Sequence, residues 1–232
     1  MIAGTGPDRR AMCEAASNLI NALAEFPKNM RIRFCVIALA FVAFTSAEVR
    51  AEQTIVFFRH GEKPSGGYGQ MNCQGFNRSL ALPGVLLGKF GTPDVLYAPS
   101  PAVKVTDPAG SFYYVRPLAM IEPLAIKLGM PVNTKYGYNA ISTLQPALIS
   151  PGYADTTIFV AWEHLQLQKL VQNIMKAYGG GVIVPAWASA DFDSLYVVRV
   201  TYVANADGTT TPRASFYRDA EGLNGQPTAC PY

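Results

Sequence analysis

The sequence predicts an α/β fold of three layers, αβα, with helices on both faces of a mostly parallel sheet and a terminal hairpin. Three observations predict it. Thr54–Phe58 and Thr156–Trp162 are continuous apolar runs without polar alternation, which marks strands buried on both faces. Stretches with helical apolar spacing separate the strand-like runs, the rhythm of βαβ units. Near the C-terminus, Leu195–Val203 and Thr209–Tyr217 flank Asn205-Ala206-Asp207-Gly208, a hairpin turn.

Length and composition agree with one such domain. A chain of 232 residues, 50% apolar and 15% charged, can bury a sizeable core and is not expected to be disordered. The net charge is +3, and the chain beyond residue 51 is nearly neutral. No long basic block argues for nucleic acid as a partner. There is no internal repeat or low-complexity tract.

Arg9–Phe26 has helical spacing and no visible chemistry. Met30-Arg31-Ile32-Arg33 then opens an apolar run to Phe44, and Val49-Arg50-Ala51 ends in small residues. A basic start, a short apolar centre and a small-residue exit make a secretory signal peptide at 30–51. The expected organisation is therefore a leader over 1–51, with a start at Met30, and a single domain over 52–232. Residues 34–44 are too short for a confident membrane span, so no stable span is expected after cleavage. The expected location is periplasmic or secreted. Only Cys73 and Cys230 would then remain, an even pair in an oxidising compartment, and a disulfide between them is expected.

The first strand runs into Arg59-His60-Gly61 and stops at Pro64. Gly61 is read as the sharp turn that leaves room for a ligand. Ser65-Gly66-Gly67-Tyr68-Gly69 lacks the Lys-Ser/Thr ending of a P-loop and is read as shaping the pocket mouth. A helix is expected within Asn72–Phe90, with Pro83 a kink or a start, and a short strand at Pro93–Ala98. Pro99–Ser111 reads as a turn-rich excursion. Arg116 heads the next helix, where Pro117 suits a first position and backbone N–H groups favour an anion. Pro131–Thr134 is a short strand and Tyr138–Leu148 a weak helix. The second buried strand ends in Glu163-His164, and Leu165–Met175 continues as an amphipathic helix to Gly179-Gly180-Gly181. The tail from Asp219 is polar and is expected to lie on the surface.

The chain holds two histidines, and both follow buried strands closely. In a parallel sheet both imidazoles reach the carboxyl edge, where open α/β sheets place ligands. At this point the sequence resembles the histidine phosphatase superfamily, the phosphoglycerate mutase-like and acid phosphatase-like enzymes. Arg59-His60-Gly61, Arg116 at a helix head and His164 after a strand carry the resemblance, from Thr54 to about Val198. It implies a phosphoglycerate mutase-like fold and hydrolysis of phosphate monoesters or related compounds through a phosphohistidine on His60. Arg59, Arg116 and His164 would bind the phosphate, with a small phosphorylated molecule as partner and neither metal nor cofactor. Cys73 and Cys230 have no part in that chemistry.

The sequence departs from the family in three places. After the second Arg the family shows Arg-Ala-x-x-Thr-Ala, and this chain has Arg-Pro-Leu-Ala-Met-Ile, so Arg116 alone carries over. Acid phosphatase-like members have Asp directly after the second His, where this chain has Leu165. The mutase-like Glu has no counterpart in Asn133–Tyr138. Glu163 and then Glu62 are the candidate general acids, with Asp193 a third. The structural alternatives are Glu62 as a salt-bridge partner of an active-site Arg and Glu163 as a buried partner in the neighbourhood of Trp162. The rival function is a phosphate-binding module of the same fold that turns over slowly or not at all. Nothing in the sequence names the substrate or the oligomeric state.

Overall fold

In the computed structural model, residues 52–232 are described. The leader, the signal peptide, the Met30 start and Cys13 and Cys35 lie outside the described residues. Eight strands and four helices follow one another. They are β1 (Glu52–Arg59), α1 (Cys73–Phe90), β2 (Val95–Tyr97), β3 (Lys104–Asp107), β4 (Gly110–Tyr113), α2 (Arg116–Leu128), β5 (Val132–Asn133), α3 (Ile141–Leu148), β6 (Thr157–Trp162), α4 (His164–Tyr178), β7 (Ser194–Ala204) and β8 (Thr210–Ala220).

Six strands form one sheet in the order β5-β2-β6-β1-β7-β8. β5, β2, β6 and β1 run parallel, and β7 and β8 complete the sheet antiparallel. The apolar runs occupy the two central places. Being covered on both faces, they carry side chains for two separate cores. Ile55, Phe57, Ile158, Val160 and Trp162 face α3 and α4, where Leu144, Leu148, Leu170 and Ile174 close the packing. Val56, Phe58, Phe159 and Ala161 face the other way, onto Leu82 and Leu86 of α1 and Ile121 and Leu124 of α2. The three-layer αβα architecture with its terminal hairpin is thus as expected.

The register fixes the site. β1 pairs with β6 so that Arg59 stands opposite Trp162. His60 and Glu163-His164 therefore leave the sheet side by side at its carboxyl edge.

Four local expectations need correction. Pro99–Ser111 is not only turns: it contains β3 and the start of β4, a two-stranded ribbon. Pro83 neither starts nor ends a helix, since α1 runs through it from an Asn72 cap that accepts from Gly75 N–H. The room beside Gly61 is taken by protein. A Cβ there would lie 2.7 Å from Gly75 Cα, so the two glycines let α1 press against the loop after β1. The tail is not all surface: Glu221 is buried.

Candidate active site

β1 ends in a cation at the carboxyl edge, and His164 follows two residues after the end of β6. Arg59 is the final residue of β1, and its side chain turns under the loop between α4 and β7. Its Nη1 donates to the Ser189 carbonyl at 2.7 Å and the Asp191 carbonyl at 2.9 Å. The Phe192 ring lies flat against the guanidinium, 3.8 Å from its carbon. None of these partners is a carboxylate. Burial, with a smaller contribution from Arg116, brings the guanidinium pKa down to about 10 against the pull of Tyr114, Glu163 and Asp191.

His60 is buried, and its Nδ1 lies 2.8 Å from the Gly61 carbonyl oxygen. A carbonyl can only accept, so Nδ1 carries the proton and Nε2 keeps a lone pair. Burial holds the imidazole pKa well below its ordinary value, and the charges of Arg116, Arg59 and His164 reinforce that against the Gly61 bond. The ring is neutral, uncharged among cations. It has the form a nucleophilic imidazole needs.

Arg116 opens α2, ahead of Pro117. Asp107 binds it in a fork, at 2.7 Å to Nη1 and 3.2 Å to Nη2. Both side chains are buried. Burial would raise the Asp107 pKa, but Arg116, the Gly69 N–H and Lys63 outweigh it and hold the carboxylate below its usual range. The glycine loop completes this brace. Gly69 N–H donates to Asp107, Gly67 O accepts from Arg116 Nη1, and Gly69 O accepts the Val115 and Arg116 N–H groups. The loop expected to shape the mouth instead fixes an arginine. Gly67 and Gly69 both have positive φ, the left-handed conformation a side chain would resist.

His164 is the first residue of α4, capped by Glu163. The Glu163 side chain accepts from Leu165 N–H at 3.1 Å and Gln166 N–H at 2.8 Å. Its Oε1 is also 2.7 Å from His164 Nδ1, an ion-pair distance off the line of a good hydrogen bond. Burial alone would raise Glu163; the His164 contact and the two helix N–H groups together lower it instead.

The expected acids are all engaged by other groups. Glu163 is held ionised as a helix cap, so it is a poor proton donor. Glu62 turns away to Arg78, with Oε1 2.7 Å from Nη2. Asp193 Oδ1 also meets Arg78, at 3.2 Å, and takes the Leu223 N–H. Glu62 does form a salt bridge, but with Arg78 of α1 and not with an arginine of the site.

The unpartnered polar atoms cluster at this edge. Among the described residues, five buried side-chain polar atoms lack an aligned partner. Four belong to the site: Arg59 Nε, Arg116 Nε, Tyr114 Oη and His164 Nδ1. Buried polar groups are otherwise almost always satisfied. Two guanidinium groups and two imidazoles thus lie on one edge with spare polar atoms, a set whose chemistry suits an oxyanion.

Sequence reasoning missed Asp107, Tyr114 as a site residue, Phe192 and Arg78. Asp107 lies in a stretch read as loop, and Arg78 sits mid-helix without a motif. Tyr114, two residues before Arg116, had only proximity to mark it. Cys73 and Cys230 are bonded, with Cα atoms 4.7 Å apart. The bond lies at the start of α1.

No family model matches the chain, and no curated protein matches it. Several solved structures are similar. A candidate phosphohistidine phosphatase SixA from Nakamurella multipartitia is 13% identical, with a TM-score of 0.46 over 72% of this chain and 95% of that one. A mycobacterial glucosyl-3-phosphoglycerate phosphatase bound to inorganic phosphate is 9% identical, with a TM-score of 0.45 over 72% and 98%. A candidate SixA from Agrobacterium tumefaciens is 12% identical, with a TM-score of 0.40 over 62% and 90%. Likenesses this distant do not fix an activity.

Proposed function

We propose that this chain is a phosphatase that works through a covalent phosphohistidine. The observation that carries the reading is the neutral, buried His60, with Nδ1–H on the Gly61 carbonyl, set among Arg59, Arg116 and His164. The Nε2 lone pair attacks phosphorus and forms an N–P bond, while the bond to the leaving group breaks and takes its electron pair with it. Water then attacks phosphorus, and the N–P pair returns to His60. Arg59, Arg116 and His164 neutralise the equatorial oxygens, each typically worth ~10²–10³ in rate.

The proton donor sets the substrate class. Among the described residues, Glu62, Asp107, Glu163 and Asp193 are all engaged by cations or backbone N–H groups. Substrates whose leaving group departs without full protonation are therefore favoured: phosphoramidates, acyl phosphates, pyrophosphates and aryl phosphates. Export to an oxidising compartment is part of the proposal. It is supported by the N-terminal basic-apolar-small pattern and by the Cys73–Cys230 bond.

The engaged carboxylates favour a second reading, a phosphate-binding module with little turnover. Rapid quench with ³²P-labelled acetyl phosphate separates the two. Acid-labile label on residue 60, lost in His60→Ala with the fold intact, is the expected result. Tight binding of inorganic phosphate with no label and no turnover on any phosphoryl donor gives the module instead. Neither binding nor label overturns both.

A further inference from the structure

We propose that the Tyr114 hydroxyl is a direct ligand of the substrate's phosphoryl oxygens, a neutral donor beside the arginines and histidines. The inference rests on the phosphatase reading above and adds a residue to its site. Tyr114 is fully buried, and among the described residues its hydroxyl has no aligned partner. Its ring stands edge-on to the His60 imidazole, 6.0 Å between centroids at 87°. The Arg116 guanidinium lies 4.8 Å above the same ring. The Arg116 guanidinium is near enough to donate toward the hydroxyl, though out of line for a good hydrogen bond, and Glu163 and Arg59 are near enough for their charges to be felt.

A buried phenol left unbonded costs about 1–3 kcal/mol. An apolar ring of the same shape would avoid that cost, since the Tyr114 ring already packs edge-on with Tyr138 at 5.3 Å. The hydroxyl makes sense if something else supplies the acceptor. Two other unpartnered atoms of the site, Arg59 Nε and Arg116 Nε, are donors and cannot accept. The Tyr114 oxygen can itself accept from such donors, but its own proton still lacks an acceptor, which an oxygen of a tetrahedral oxyanion would supply. Burial keeps the phenol pKa far above its ordinary value, so the hydroxyl retains its proton and donates. The same shift makes it a poor proton donor to a leaving group.

Tyr114→Phe removes one oxygen and keeps the ring. Binding of inorganic phosphate, read by calorimetry, is expected to weaken about ten- to a hundredfold, the range for a hydrogen bond to a charged group. The kcat/KM is expected to fall by a similar factor for both p-nitrophenyl phosphate and an alkyl phosphate. Without ligand the variant should melt no lower than the parent, since it loses an unsatisfied group. The rise in melting temperature caused by phosphate should shrink. Unchanged phosphate affinity in the variant overturns the inference, whatever its stability. A loss confined to the alkyl phosphate also overturns it, because that marks a proton donor. A parent protein that neither binds phosphate nor turns over would instead remove the functional reading on which this stands.

Discussion

Asp107 shows how one residue sets the chemistry of another. Arg116 is buried and cationic, and its Nη atoms are spent on a carboxylate rather than on substrate. That leaves Nε and the second N–H of Nη2 as the donors not already spent, their direction held by the fork. Removing one member of a buried ion pair typically costs about 3–5 kcal/mol, because the other charge stays behind unpaired. Asp107→Ala should lose stability in that range by urea unfolding, and saturating phosphate should restore part of it by giving Arg116 a new partner. A loss below about 1 kcal/mol, or no phosphate rescue, would show that Arg116 does not depend on Asp107. The His60 pairing was accessible from sequence, because an imidazole after a strand and before Gly61 has a backbone carbonyl within one residue. Asp107 was not, because nothing in Val105-Thr106-Asp107-Pro108 says that it folds back onto a helix nine residues on.

At the scale of elements, the strands were legible and the short pieces were not. β1 and β6 announce themselves because burial on both faces demands unbroken apolar runs. β3 and β4 are four residues each, largely uncovered, and surrounded by Pro and Gly, so no periodic signal reaches the sequence. The contact of α1 with the loop after β1 was equally silent, although it positions His60. Its mechanism is a glycine facing a glycine. A Cβ on Gly75 would sit 2.5 Å from Glu62 O and 2.7 Å from Glu62 N, both backbone atoms that cannot swing aside. Gly75→Ala is therefore expected to cost about 1–3 kcal/mol as an overpacked contact and to lower turnover by displacing the His60 loop. Gly84 lies on the exposed side of the same helix with nothing within 4 Å of its would-be Cβ. Gly84→Ala should stabilise by about 0.5–1 kcal/mol and leave turnover unchanged. Equal effects of the two changes on melting temperature would mean that helix propensity, not the Gly61–Gly75 contact, governs α1.

Across the whole molecule, the C-terminal tail is fastened to α1 by a covalent, a neutral and an ionic tie. Cys230 is bonded to Cys73, Asn77 donates to the Pro227 and Ala229 carbonyls, and Glu221 reaches Arg78 at 2.8 Å. The ionic tie is overloaded. One buried guanidinium faces three carboxylates, from Glu62, Asp193 and Glu221. The arginine is held charged by these partners, though burial opposes it. Glu221 is the most deeply buried of the acids and cannot be fully compensated. Burial pushes its pKa up to about 8; Arg78 opposes the rise, and Asp193 and Glu62 add to it. Its Oε1 has no aligned partner among the described residues.

A folded-state pKa above the unfolded value means that the folded protein holds a proton which the unfolded chain releases. The stability tied to that proton is complete below the ordinary carboxylate range and is lost as pH rises through about 8. The slope from one such group is at most about 1.4 kcal/mol per pH unit. Glu221→Gln keeps an acceptor for Arg78 and cannot ionise. Denaturant unfolding at pH 5, 7 and 9 should show the parent weakening across this range more steeply than the variant. The variant should be the more stable of the two at pH 9 and close to the parent at pH 5. Reducing the Cys73–Cys230 bond should widen the gap at pH 9, because the tail is then free to carry the ionised carboxylate into water. Parallel curves for parent and variant would mean that Glu221 is already ionised at pH 5, with Arg78 neutralising it in full.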